Sequence, residues 1–301
     1  MVDPLVADWQ FDGFAWLIDH FSTGPGLPGS ELWRPVPEHF PAAPGDLAAH
    51  LFEIVRRQYG FADHLLFEPV AVDVLPTEPL DGGGFIESDA EAACATYQRL
   101  DRDGLPPREL IYYDEAMGAT DLVATFAHEL AHAAHQRAPE WAELNVPGSG
   151  LDLELYELFT DLTAVYFGYG LFLANTRHDV VVGANGWAGA DVFGAGYLPE
   201  NDLVFATALF MSLKGIPEGA AVPHLKPRLR KTLNRAFRQL DRERDRIRRL
   251  RARRPAHGPD PDGPRLGDCL PEPVYPFPEA GAEAYSAGIN PAGMSVRRGS
   301  P

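Results

Sequence analysis

Cysteine is almost absent from the chain, with Cys94 and Cys269 the two examples in 301 residues. That excludes a disulfide framework and a thiolate metal centre. No apolar run reaches the roughly 18 residues that a membrane-spanning helix needs, so no span is expected. The opening Met1-Val2-Asp3-Pro4 lacks the basic and apolar regions of a secretory signal. A cytoplasmic location is therefore the expectation. Gly82-Gly83-Gly84 is not followed by Gly-Lys-Ser or Gly-Lys-Thr, which argues against a phosphate loop. The chain has no internal repeat, and it has no Gly-x-Ser-x-Gly elbow, so a serine hydrolase of that type is not indicated.

What is present suits a globular protein. Apolar residues make up 45% of the chain, enough to bury a substantial core. The net charge of -17 is unevenly spread. Residues 226–254 carry 14 Lys and Arg against Asp241, Glu243 and Asp245, a local net of +11, which leaves -28 for the remainder. The two parts can attract one another, or the basic segment can serve an acidic partner such as nucleic acid.

Local patterns divide the chain into a domain over 1–225, an Arg-rich helix over 226–254 and a Pro- and Gly-rich tail over 255–301, expected to be disordered. Residues 1–43 read as an irregular segment packed on the core through Trp9, Phe11, Phe14 and Trp16. Helical spacing covers Asp46–Tyr59, and alternating Val70, Val72 and Val74 predict a strand over 65–75. A short strand is expected near Phe85-Ile86, a helix over 91–100 and a second strand over Glu109–Tyr113. Helices are then expected over Thr120–Arg137, Leu151–Phe167 and Pro199–Lys214, with a Gly-rich loop at 183–196. After Pro227, Leu229, Leu233, Phe237, Leu240, Ile247 and Leu250 predict one long helix with a narrow apolar stripe.

The chemistry concentrates at His128-Glu129-Leu130-Ala131-His132. Residues four apart share a helix face, so the two imidazoles can grip one ion, and neutral imidazole suits zinc. Glu129, rotated off that axis, can act as general base on a zinc-activated water. The surrounding Leu122, Val123, Phe126, Ala127, Leu130, Ala131 and Ala134 mark the helix as buried, where two His and a Glu need partners. A catalytic site wants a third protein ligand and an open position. The next helix aligns Glu154, Glu157 and Asp161, a row of like charges that is unfavourable without a cation. Either Glu154 or Glu157 can supply the ligand, and only Glu157 has an acid four residues on to support it. His135 lies a turn beyond the pair and is expected to be a polar helix end near solvent, although a ligand role is open to it.

HExxH followed by Glu-x-x-x-Asp, here Glu157-Leu158-Phe159-Thr160-Asp161, resembles the pattern of the gluzincins, the thermolysin-like branch of zinc peptidases. The stretch Thr160–Gly168 is also similar to uncharacterised bacterial HExxH proteins. The resemblance covers about 35 residues. It implies that His128, His132 and Glu157 are ligands, that Glu129 is the base, and that Asp161 orients a ligand imidazole. It further implies an oxyanion donor from downstream, for which Tyr166, Tyr169, Arg177, His178, Tyr197 and His224 are candidates and His178 the first choice. An edge strand that pairs with an extended peptide is also implied, at Glu109–Tyr113 or Gly84–Glu87.

The expectation is thus a predominantly helical α+β, zincin-like domain with a small sheet and two metal-bearing helices. It would bind zinc and hydrolyse a peptide or protein substrate. The alternative is a non-catalytic module, zinc-containing or metal-free, that binds a protein partner.

Overall fold

A computed structural model describes residues 1–22, 31–40, 45–61, 65–73, 95–102, 105–137, 153–176 and 197–255. The expected strand near Phe85-Ile86, the Gly-rich loop at 183–196 and the tail from 256 onward lie outside these residues. Within them the protein is predominantly helical with one three-stranded mixed sheet, which agrees with an α+β class. The order of elements is α1 (Pro4–Phe21), α2 (Leu47–Gln58), β1 (Leu66–Val72), β2 (Ala95–Arg102), β3 (Leu105–Asp114), α3 (Ala119–His135), α4 (Leu153–Tyr166), α5 (Gly170–Thr176), α6 (Glu200–Lys214), α7 (Pro227–Leu240) and α8 (Arg244–Ala252).

The N-terminal region departs from expectation, because α1 is a regular helix of 18 residues. Asp3 caps it by accepting from the Leu5 N–H at 2.8 Å, and Pro4 stands where a missing N–H costs nothing. Buried residues run almost all round it, from Val6 and Trp9 to Phe14, Leu17 and Ile18. A helix buried on most sides shows no single apolar stripe, so periodicity does not reveal it. The aromatic anchors Trp9, Phe11, Phe14 and Trp16 do enter the core. Gly13 permits the crossing with α4: a Cβ there would stand 2.4 Å from Leu162 Cδ2.

The sheet has the order β1-β3-β2, with β1 parallel and β2 antiparallel to β3. Two expectations fall here. Residues 95–102 form a strand rather than the end of a helix, since pairing of Thr96, Tyr97 and Gln98 with β3 overrides the helix-favouring Ala and Glu before them. And β3, which contains Glu109–Tyr113, is central; both its edges are paired, so it offers none to a peptide.

Helix α3 packs on the face of β3 that carries Ile111 and Tyr113, with Phe126 edge-on to Tyr113 at 5.3 Å. It also packs on α4 and α5, and α6 packs in turn on those two. α6 is buried from Asp202 to Leu213, apart from the partly buried Ser212, and ends at Gly215 in the left-handed conformation.

The basic segment folds as two helices, not one. The break at 241–243 falls in the seven-residue gap between Leu240 and Ile247, where the apolar stripe lapses. Leu229, Leu233, Leu240, Ile247 and Leu250 are all buried in the main core. Its charges are partly absorbed by the acidic remainder. Arg246 binds Asp8 and stacks over Phe11, Arg253 forks onto buried Asp19 at 2.6 and 2.5 Å, and Arg228 pairs with Glu200. No single helix among the described residues is long and apolar enough to cross a membrane.

Candidate metal centre

Helix α3 follows Gly118 at its N-cap, has Asp121 in its first turn and buries Leu122, Val123, Phe126, Leu130 and Ala131. This burial fixes its rotation and turns His128 and His132, one turn apart, toward α4. On α4 two rows, each spaced four residues, answer them. Glu157 and Asp161 meet His128, and Tyr156 and Thr160 meet His132.

Three ligand atoms converge. His128 Nε2 lies 3.2 Å from His132 Nε2 and 3.1 Å from Glu157 Oε2, and His132 Nε2 lies 3.4 Å from the same oxygen. All three side chains are buried, and together they could hold a metal ion. Zinc ligands at about 2.0–2.1 Å in a tetrahedron stand about 3.3–3.4 Å apart, close to the triangle observed.

The donor chemistry fits as well. His128 Nδ1 lies 2.8 Å from Asp161 Oδ1, and a carboxylate fixes that nitrogen as the N–H. The lone pair of Nε2 is then turned inward. His132 Nδ1 lies 2.9 Å from the Tyr156 hydroxyl, whose ring stacks on the imidazole at 5.0 Å. Lone pairs and a carboxylate facing each other at 3 Å repel unless a cation or a proton stands between them.

The titration behaviour of the metal-free cluster expresses this need. Burial opposes protonation of His128, but Asp161 and Glu157 outweigh it and hold the imidazole well above its usual range. Burial likewise opposes ionisation of Glu157, but His132 and His128 prevail and hold the carboxyl at about 2. Without metal, the site keeps a proton where the ion would go.

Glu129 is buried one residue along from the first ligand. Burial pushes its carboxyl above the ordinary range, with His132 and His128 pulling the other way. The Ala127 carbonyl next to His128 accepts the Tyr59 hydroxyl, which pins α3 to the chain that follows α2.

Asp161 has a second task. Its Oδ2 accepts the backbone N–H groups of Tyr197 and Leu198 at 2.5 and 2.6 Å, and the Tyr197 ring stacks on His128 at 5.8 Å. Tyr197 is thus the one proposed oxyanion donor seen in ring contact with a ligand among the described residues. Tyr166 is tied to Ser22 at 2.8 Å, Tyr169 stacks on Trp33 in the core, and His224 sits on a single 3-10 turn at Val222–His224. Arg177, His178 and the Glu154 side chain lie outside the described part.

His135 is neither a ligand nor a polar end near solvent. It is fully buried, and its Nε2 lies 2.7 Å from the Thr163 hydroxyl. Thr163 gives its own proton to the Phe159 carbonyl at 2.8 Å, so His135 is the donor. Burial holds it well below its usual range and hence neutral. Phe159 and Tyr156 close over the ring and leave it no path to water.

Tyr156 and Thr160 are site residues that the sequence does not announce. The available signal is position alone, since each directly precedes Glu157 or Asp161 on α4. No family model, curated protein or solved structure matches this chain. The functional reading therefore rests on the geometry.

Proposed function

We propose that the protein is a zinc-dependent hydrolase of the metallopeptidase kind, held together by His128, His132 and Glu157 and using Glu129 as general base. One observation carries the reading. Three buried ligand atoms converge at tetrahedral spacing, each imidazole is backed by a partner on Nδ1, and a buried carboxylate stands beside them. Zinc at such a site supplies a Lewis acid that polarises a carbonyl and lowers the pKa of a water to about 7. The resemblance of the two motifs to gluzincins supports zinc over other ions and peptides as the substrate class.

The residues of the chain have separable duties in this reading. Asp161 and Tyr156 orient the ligand rings, so that each Nε2 lone pair is aimed before any ion arrives. Glu129, with its carboxyl raised by burial, accepts a proton from the attacking water and can return it to the leaving nitrogen. Tyr197 is the first of the described candidates for the oxyanion donor. The test is metal analysis of the purified protein, followed by hydrolysis of a peptide library by wild type and Glu129→Gln. One zinc per chain and an activity that the substitution removes while zinc is retained is the expected result. An activity untouched by Glu129→Gln would overturn the reading.

The near-complete burial of all three ligands supports a second reading, a module whose metal is structural and whose task is to bind a protein partner. It predicts bound zinc, a large loss of stability on chelation, and no hydrolysis of any library member.

A further inference from the structure

The positive charges of the Arg-rich segment are handled in two different ways. On α8 and the turn before it they alternate with acids, so that Arg244 meets Asp241 at 2.9 Å and Arg248 meets Asp245 at 3.2 Å. Helix α7 contains no Asp or Glu at all. Its cations form a row instead. Arg228, Lys231, Arg235 and Arg238, and then Arg242 just beyond the helix, recur at spacings of three and four residues, and all are exposed. At about 100° per residue, the four on the helix fall within one narrow arc opposite the buried Leu229, Leu233, Ala236 and Leu240. The row therefore faces away from the core.

Arg228 pairs with Glu200. Among the described residues, Lys231, Arg235, Arg238 and Arg242 pair with no carboxylate. Glu218 approaches α7 at Asn234, beside the row, at 3.2 Å. Like charges three and four apart on a helix repel, so the row is unfavourable in the fold by itself. A chain of net charge -17 has carboxylates to spare, yet α7 carries none. The distant excess does not cancel the row, because the Debye length at physiological salt is about 8 Å.

The shape of the row selects its partner. It is one side chain wide, and from Arg228 to Arg238 it runs about 15 Å along the helix with a cation about every 5 Å. A phosphate backbone is an unbroken row of the opposite sign, and the Arg fork matches phosphate. No aromatic of α7 is exposed to stack on a base, since Phe237 is partly buried and packs on the core. Contact is thus with phosphates rather than base edges, and a closed duplex offers them. A membrane surface fits less well. A helix lying in lipid commits its apolar face to the acyl boundary, and that of α7 is committed to the core.

We propose that the exposed face of α7, through Lys231, Arg235, Arg238 and Arg242, binds the phosphate backbone of duplex nucleic acid without regard to sequence. The surface belongs to a different element from the metal ligands and does not depend on the hydrolase reading.

Anisotropy titration of the full-length protein against a labelled short DNA duplex of mixed sequence tests this. With four phosphates neutralised, log affinity should fall against log salt with a slope of about -3.6, or roughly 150-fold between 50 and 200 mM salt. Two double variants matched in charge locate the contact. Arg235→Gln with Arg238→Gln should weaken binding at least about tenfold at low salt and halve the slope. Arg244→Gln with Arg248→Gln removes the same charge from exposed positions already paired with acids, and should bind within about twofold of wild type. Gln keeps good helix propensity, and circular dichroism checks the fold. No binding of the duplex at 50 mM salt, or an equal loss in the two variants, would overturn the proposal. So would tighter binding to phosphatidylserine vesicles than to the duplex, which would make the face a membrane contact. These readouts involve neither zinc nor Glu129, so a failure here is separate from a failure of the hydrolase reading.

Discussion

Tyr156→Phe removes a single oxygen from behind His132 and keeps the ring that stacks on it. The lost bond is neutral, and a bond of that kind contributes about 1–1.5 kcal/mol, which corresponds to about tenfold in zinc affinity. Thr160 limits the damage. Its oxygen lies 3.4 Å from the same Nδ1, and its proton is committed to the Tyr156 carbonyl, so a lone pair remains to accept a longer bond. Asp161→Asn is the natural companion. It replaces a charge-assisted bond to His128, roughly twice as strong as a neutral one. Its amide cannot present oxygen both to His128 and to the Tyr197 and Leu198 N–H groups as the carboxylate does. The expected loss is therefore larger, toward the upper end of the tenfold-to-hundredfold range for groups that back a ligand. Competition against a chromophoric zinc chelator at fixed pH, with circular dichroism to check the fold, measures both. Tyr156→Phe binding as tightly as wild type, or losing more than Asp161→Asn, would refute the reasoning.

The metal-free protein should lose stability in acid through Glu157. Its carboxyl is held at about 2 against an ordinary 4.5, so its stabilisation is complete above about pH 4.5 and disappears as pH falls toward 2. At most this is on the order of 3 kcal/mol. Urea unfolding in chelator should show the gap between wild type and Glu157→Gln narrowing from pH 5 to pH 3, and a constant gap would contradict it. Gly168→Ala should cost about 2–4 kcal/mol, because φ is +99° and an added Cβ would lie 2.0 Å from the Glu31 carbonyl oxygen. Denaturant midpoints read this directly, and an unshifted midpoint would mean the two segments separate freely. Leu233→Ala should cost about 2–5 kcal/mol, since Leu233 has no exposure and belongs to the main core. A near-neutral effect in thermal melts would mark the Arg-rich segment as detachable.

The sequence made α3 legible because its signal is local: two His at helical spacing within an apolar run that ends near Pro139. The bounds of α2, α4 and α6 were within reach for the same reason. The errors have a common physical origin in burial and pairing that no short window contains. Helix α1 is apolar on too many sides to show a stripe. Strand β2 has helix-forming residues before it and exists through its partner β3. His135 does end α3, but it was expected near solvent, and α1 and α4 cover it. Within the site, the pair four apart on α3 and the Glu157–Asp161 pair could be read in advance. The Tyr156–His132 contact could not, since it depends on how far α4 is rotated about its own axis.

That rotation makes Tyr156 to Asp161 an indivisible unit of inheritance. Within six consecutive residues lie the group behind His132, the carboxylate ligand, a reserve acceptor and the anchor of His128. One residue inserted or deleted inside the run would swing everything beyond it by about 100° around the helix and part the ligand from its supports. Point substitutions can retune this stretch gradually, whereas a change in its length removes the centre in a single step. Descendants of this chain should therefore keep the spacing even where they abandon the residues.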